Sequence, residues 1–171
     1  MEPASFFHHC PRCGVRQTAA PEGHVFNCGA CGFRLYFSAA VAVAVFIRRP
    51  DGQMLFIVRG KEPGRGKLAP PGGFIDLGET AEAAVHRETR EEVGIPLHNL
   101  RFLCSQPNFY LYGGVNYPVL DLFFTATTEL DADAKALDDV KAVRWLMPEK
   151  VAPEELAFVS MQNAFRFWRS L

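Results

Sequence analysis

Two sets of side chains in this sequence have the types and spacing to hold metal ions. The first is acidic: Glu88, Glu91 and Glu92 fall within five residues, with Arg87 beside them and Glu79 eight positions before Arg87. Placed on a helix at about 100° per residue, Glu88 and Glu92 continue the line of Ala81, Ala84 and Val85, and Glu91 falls just beside them. Carboxylates that extend an apolar face are costly to bury and repel one another, and a bound divalent cation relieves both problems. Oxygen donors alone select Mg²⁺ or Mn²⁺ over Zn²⁺. Arg87 reads as a fixed positive charge that orients the glutamates, and Glu79 as a further ligand or a support for one. The competing reading is a solvated acidic helix face with ordinary ion pairs. The preceding segment, Pro70-Pro71-Gly72-Gly73, weighs against it. Gly73 permits a backbone conformation that other residues avoid, and lets a main-chain carbonyl or amide approach a ligand, with space for a phosphate. Gly73 therefore joins Glu88, Glu91 and Glu92 as a candidate metal-binding position, and phosphate beside a divalent ion is the usual partnership for pyrophosphate hydrolysis.

The second set is thiol. Cys10-Pro11-Arg12-Cys13-Gly14 and Cys28-Gly29-Ala30-Cys31-Gly32 are two Cys-x-x-Cys-Gly knuckles with fourteen residues between Cys13 and Cys28. Disulfides across two intervening residues are geometrically awkward, whereas four thiolates at this spacing can share one tetrahedral Zn²⁺. Such a site is closed to a reacting water, so this metal is expected to be structural, holding a segment too small to own a core. His8, His9 and His24 are substitute ligands, and a redox Cys-x-x-Cys is the rival reading; the doubled knuckle favours four cysteines. Cys104 stands in an apolar stretch and is expected to be a small core residue.

These groups need elements to carry them. Residues 1–35 hold the knuckles without apolar periodicity and form the expected zinc ribbon; residues 36–171 have the pattern of a packed domain. Val41 to Ile47 and Met54 to Val58 read as strands around a Pro50-Asp51-Gly52 turn. Residues 60–78 read as loop with one short extended piece. Thr80 caps a helix that runs to Val93 and stops at Gly94. Phe102 to Tyr112 and Tyr117 to Thr127 read as strands joined at Gly113-Gly114, and Val140 to Leu146 as another. Asp121 interrupts its apolar strand and reads as a buried, hydrogen-bonded acid. Phe158, Met161, Phe165 and Trp168 form one apolar face of a terminal helix, read as core. Strands with two helices give an α/β sandwich. The formal net charge of −1 gives no electrostatic reason to expect nucleic-acid or anionic-membrane binding. The absence of a long apolar run or a basic leader leads to the expectation of a cytoplasmic protein.

The run from Gly73 through Glu79 to Arg87-Glu88-Thr89-Arg90-Glu91-Glu92-Val93-Gly94-Ile95 resembles the Nudix box, G-x5-E-x7-R-E-U-x-E-E-x-G-U. Every fixed position matches; Thr89 departs where the family usually has a bulky aliphatic residue. The resemblance implies the Nudix α/β/α sandwich with a mixed sheet, and metal-assisted hydrolysis of a diphosphate linked to another group. It implies that Glu88, Glu91 and Glu92 hold the divalent ions while Arg87 orients them and Glu79 assists. It also implies a small-molecule nucleotide substrate and a homodimer.

A four-cysteine ribbon ahead of such a box is similar to the arrangement in NADH pyrophosphatases. Those carry S-Q-P-W-P-F-P-x-S after the box; here Ser105-Gln106-Pro107 begins it and Asn108-Phe109-Tyr110-Leu111 replaces the rest. FAD and ADP-ribose diphosphatases are similar as well, and Tyr112 falls where diadenosine-polyphosphate hydrolases place a tyrosine. Gln106, Asn108, Tyr110 and Tyr112 are therefore candidate substrate contacts, against the alternative that alternate residues face a core. A non-catalytic nucleotide sensor, and an enzyme acting on nucleotide-capped RNA with Arg12, Arg16 and Arg34 guiding the strand, are the rival functions.

Overall fold

The computed structural model describes residues 3–16 and 24–171. Contacts divide the chain into two units, residues 1–40 with 109–119, and residues 41–108 with 120–171.

The first unit is built on the knuckles. Strands β1 (Val25–Asn27) and β2 (Arg34–Tyr36) pair antiparallel, with Phe26 opposite Leu35. A small core forms from Cys10, Phe26 and Cys28, with Phe7, Phe33, Leu35 and Phe37 packed around it. The Phe7 and Phe37 rings meet edge to face, 4.9 Å between centroids. So few apolar groups bury little surface, and the four sulfurs at the centre supply the remaining constraint.

The second unit carries the large core. Strands β3 (Ala40–Arg48), β4 (Met54–Arg59), β5 (Leu68–Ala69), β6 (His98–Tyr112), β7 (Val115–Thr127) and β8 (Val140–Leu146) form a sheet in the order β5-β4-β3-β7-β6, with β8 also paired to β4. The register of β4 on β8 runs from Met54 opposite Leu146 to Arg59 opposite Val140. Val43 to Ile47 and Met54 to Val58 are buried throughout, because these strands are covered on both faces. The strands extend slightly beyond their sequence-predicted bounds. His98 to Arg101 add a further segment at the start of β6, where polar residues gave no alternating apolar signal.

Helix α1 (Ala81–Glu92) begins at Thr80, whose hydroxyl accepts from the Ala83 N–H at 3.2 Å. It ends where the amides of Val93 and Gly94 both donate to the Thr89 carbonyl. Ala84, Val85 and Thr89 are its buried positions. Helix α2 (Val159–Arg169) packs Phe165 and Trp168 against Phe46 of β3, at 5.7 and 6.4 Å between ring centroids. The aromatic stripe is core, as its spacing suggests, and Cys104 is half-buried against the same cluster.

Two polar groups inside this core have consequences. The Thr89 side chain is fully buried and its hydroxyl has no hydrogen-bond partner among the described residues. The family's aliphatic residue would avoid this cost. Replacing Thr89 by Val keeps the shape and removes the orphan, so stability should rise by about 1–2 kcal/mol. Urea unfolding measures it, and an unchanged or lower midpoint counts against the orphaned hydroxyl.

Asp121 is buried and accepts hydrogen bonds from Asn108 Nδ2 at 2.9 Å and Ser160 Oγ at 2.5 Å. Burial raises its carboxyl above the ordinary range, with Ser160 and Asn108 pulling the other way. The folded state thus binds this proton more tightly than the unfolded chain does. Stability from this group therefore falls as pH rises from the unfolded value near 4 through the raised folded value. Asp121→Asn should be at least as stable as the parent at pH 7, and that advantage should shrink as pH is lowered towards 4. Paired unfolding curves at several pH values test this; a pH-independent difference overturns it.

Candidate functional site

The acidic site is built by running the Pro70–Gly73 segment alongside β3. The Val45 amide donates to the Pro71 carbonyl and the Val43 amide to the Gly73 carbonyl, both at 2.9 Å. Gly72 has a φ of 153°, and a Cβ there would lie 2.0 Å from the Val43 carbonyl oxygen. Only glycine fits. At Gly73 the constraint is different. Its φ is not in the left-handed region, but a Cβ would lie 2.4 Å from Glu88 Oε1. The unusual conformation expected of Gly73 thus belongs to Gly72, and Gly73 is required for close approach to a carboxylate.

From the other side, α1 presents its glutamates to this strip of backbone. Glu92 Oε2 accepts from the Gly72 N–H at 2.9 Å. Arg87 binds Glu79 through two parallel hydrogen bonds, Nε to Oε1 at 3.0 Å and Nη2 to Oε2 at 2.9 Å. Its Nη1 donates to Glu88 Oε1 at 2.7 Å and to Glu91 Oε2 at 3.2 Å, and Nη2 also reaches the Phe74 carbonyl at 3.0 Å. One guanidinium therefore links the loop, the residue ahead of the helix and two of the three helix glutamates. Such bidentate geometry is available to arginine and not to lysine. Arg87 thus stands against the glutamates that the sequence reading set beside it, and the site is denser than expected because every donor nitrogen of Arg87 is engaged.

The electrostatics separate the glutamates. Glu79 is held below the usual carboxylate range by its hydrogen bonds to Arg87. Glu88 is raised by burial, with Arg87 opposing. Glu92 is pushed up to about 8 by burial, against the Gly72 N–H, with the charge of Glu88 adding to the rise. No hydrogen bond joins Glu92 to Arg87 among the described residues. At pH 7 a carboxyl titrating near 8 resists ionisation by roughly 1.4 kcal/mol. A divalent cation among Glu88, Glu91 and Glu92 offsets a cost of that size readily, so the donor set fits a hard metal ion. A merely solvated acidic face would leave Glu92 fully exposed, whereas it is partly buried against the Gly72 amide.

Two further residues act on Glu92 through their charges. Arg59 at the end of β4 lowers its pKa and Asp138 raises it. Asp138 has a φ of 44°, and its loop is tied to the end of α1 by Leu137 N–H donating to the Glu92 carbonyl and Lys135 N–H to that of Val93. Asp138 lies in the Glu129–Asp139 loop, and nothing in the local pattern of the sequence marks Arg59. Glu129 is engaged by His98, Nε2 to Oε1 at 2.5 Å.

The candidate substrate contacts divide. Asn108 gives its amide nitrogen to Asp121, so it helps to satisfy a buried acid. Gln106 lies beside the Cys104 thiol. Tyr110 and Tyr112 belong to the hairpin segment grouped with the knuckles, and Tyr112 is exposed.

At the knuckles, Cys10, Cys13, Cys28 and Cys31 bring their four sulfurs within 4.8 Å of one another. The two halves repeat one pattern. The Gly14 amide donates to the Cys10 carbonyl and the Gly32 amide to the Cys28 carbonyl, both at 2.9 Å. The Cys31 N–H pulls Cys28 down to about 6. At Cys13 the Val15 amide acts downward, but the neighbouring thiols and burial outweigh it and push the group up to about 12. Ionising one thiol makes the next harder, and a central cation removes that conflict. The cluster is therefore suited to a metal ion, with no histidine among its members in the described residues.

Comparison with known proteins agrees with this geometry. The chain is 36% identical over 101 residues to the NAD-capped RNA hydrolase NudC of Deinococcus radiodurans, covering 57% of this chain and 36% of that protein. It is 36% identical over 104 residues to the NAD-capped RNA hydrolase NudC of Chromobacterium violaceum, covering 59% of this chain and 38% of that protein. The chain thus spans little more than a third of the length of these curated relatives. Among solved structures, a MutT NUDIX hydrolase from Burkholderia pseudomallei superposes with a TM-score of 0.65 at 25% identity, covering 75% of this chain and 97% of that one. The NUDIX domain family model matches residues 39–165, which include the whole glycine-strip and carboxylate-helix arrangement, and the chain belongs to the Nudix family.

Proposed function

We propose that this chain is a pyrophosphohydrolase cleaving the diphosphate bond of a nucleoside diphosphate joined to another group, in the class of NADH, ADP-ribose or FAD. The observation that carries the reading is Glu92: a partly buried carboxyl, hydrogen-bonded to a glycine amide, with no hydrogen bond among the described residues to the arginine that serves its neighbours. Glu88, Glu91 and Glu92, with the Gly73 carbonyl, are the groups to hold Mg²⁺ or Mn²⁺. When bound, such ions polarise phosphoryl oxygens and bring the pKa of an attacking water towards neutrality. The chain's own residues do the positioning. Arg87 fixes Glu79, Glu88 and Glu91 relative to the Phe74 carbonyl, so the carboxylates keep their spacing. The Gly72–Gly73 backbone lies against the carboxylates with no side chain between, so main-chain groups reach them directly. Water, and not an amino-acid nucleophile, is the attacking group in this scheme.

The test is turnover on a panel of NADH, ADP-ribose, FAD and dinucleoside polyphosphates with Mg²⁺ and Mn²⁺, comparing the parent with Glu92→Gln. Glutamine keeps the Gly72 hydrogen bond and removes the charge. Turnover should fall by about 10³-fold or more while the melting temperature holds or rises. Near-full activity in this variant would refute the assignment.

The match to hydrolases named for NAD-capped RNA favours one second reading, that the substrate nucleotide sits at an RNA end. Product analysis on free NADH and on the same group at an RNA 5′ end decides between them.

The parts of the molecule in this proposal are a zinc ribbon, residues 1–35, and a hydrolase domain, residues 36–171. Sulfur pairs Cys10–Cys31 and Cys13–Cys28 lie 3.7 Å apart. A tetrahedron of Zn–S bonds of about 2.3 Å has edges of about 3.8 Å, so the sulfurs already stand at zinc-site spacing. The purified chain should carry one zinc per protomer by elemental analysis. A strong chelator that removes it should unfold the ribbon and expose reactive thiols. Four thiols that stay unreactive after the metal has gone would show that zinc does not hold this segment.

A further inference from the structure

The face of the sheet that α2 covers is not covered to its end. Side-chain alternation places Phe46 and Arg48 of β3 on that face, and Trp168 of α2 lies 6.4 Å from the Phe46 ring. Beyond Trp168 the helix stops, and a groove of about 430 Å³ opens over β3, β7 and the start of β6. Arg48 and Arg101 both line it, with Asn99 and Thr125 between strand edges and Trp168 as the wall. No aspartate or glutamate side chain lines it among the described residues, and neither arginine makes a salt bridge among them.

The chemistry of these groups is selective. Two guanidinium groups on an open sheet face attract a phosphate, and arginine recognises phosphate through paired donors. Arg48 Cζ lies over the indole of Trp168, 5.6 Å from its centroid, within reach of a cation–π attraction. A guanidinium also offers a planar surface to a base. Asn99 Nδ2 donates to Thr127 Oγ1 at 3.0 Å, which fixes the amide and leaves its carbonyl oxygen to accept from a base or sugar. Thr125 forms no hydrogen bond through its hydroxyl among the described residues. These polar groups stand on three neighbouring strands, β3, β7 and β6. They lie at the end of β3 marked by Arg48, whereas the glycine strip pairs with Val43 and Val45.

We propose that this groove binds a nucleotide unit at a place distinct from the carboxylate site, with the phosphate on Arg48 and Arg101 and the base against Trp168. A free nucleotide and a single-stranded RNA share this chemistry. The proposal does not depend on the hydrolytic reading, since none of its residues belongs to the metal site.

Titration in magnesium-free buffer, read by quenching of tryptophan emission, tests it with AMP, inorganic phosphate and a short oligoadenylate. AMP should bind saturably and more tightly than phosphate. Arg101→Gln should weaken AMP binding at least tenfold, and Arg48→Gln with Arg101→Gln should abolish it. Arg101 is exposed and makes no salt bridge among the described residues, so its variant should keep the parent melting curve and the parent turnover. Glu92→Gln should bind AMP in the groove as the parent does, which separates failure here from failure of the hydrolase reading. Tighter binding of oligoadenylate, with a log K against log salt slope reduced by about 0.7 per arginine removed, assigns the groove to a strand. AMP favoured over oligoadenylate assigns it to a free nucleotide. No saturable binding, phosphate binding as tightly as AMP, or full affinity in the double variant overturns the proposal.

Discussion

Backbone and carboxylate meet in this protein without an intervening Cβ. The Pro70–Gly73 strip is held to β3 by the Val43 and Val45 amides, and Glu88 and Glu92 stand against its two glycines. Every other feature of the acidic site follows from that contact. If Gly72 carried a side chain, the strip would leave β3, the Gly72 amide would lose Glu92, and α1 would have no surface to aim its glutamates at. The core beneath, with Ala84 and Val85 wholly buried, sets how close the helix comes. Packing fixes the helix, and two missing side chains admit the loop.

The same closeness explains why the site is electrostatically expensive. Glu92 is driven up to about 8 because it is partly buried, and Glu88 is raised for the same reason. Arg87 compensates only part of this, since its donors are committed to Glu79, Glu88, Glu91 and the Phe74 carbonyl. A fold selected for stability alone would place an aliphatic residue where Glu92 stands, because a partly buried carboxyl beside Glu88 carries a desolvation cost that a methylene group does not. Its retention is intelligible if a cation supplies the missing charge. Thr89, one turn below, adds a second small penalty with no matching purpose: the hydroxyl meets neither metal site nor partner.

Much of this was legible in the sequence because it is local. Thr80 as a cap, the carboxylates one turn apart, the turn at Gly113-Gly114 and the two Cys-x-x-Cys-Gly knuckles are all set by neighbours a few residues away, and the structure has them in place. What could not be read is set by distant pairing. Whether Gly72 or Gly73 needs the unusual φ depends on where the Val43 carbonyl lies, thirty positions earlier in the chain. Asn108 reads as a base or ribose contact from its place after Ser105-Gln106-Pro107, yet Asp121 across the hairpin takes its amide. The influence of Arg59 on Glu92 had no sequence signal, since the end of β4 and the end of α1 meet only once the sheet has closed.

The two metal-suited clusters also show different ways of storing negative charge. At the knuckles the four sulfurs stand in two near-identical halves, each stabilised by its own backbone amides, and they can be neutralised only by something at their centre. At α1 the acids are unequal: Glu88 shares an Arg87 nitrogen with Glu91, and Glu92 accepts from the Gly72 amide. Four thiols converging on one closed centre suit a metal that stays and holds structure. Carboxylates in unlike surroundings would suit a metal that accepts a further oxygen from outside the protein, and this is the asymmetry that the proposed reactive centre requires.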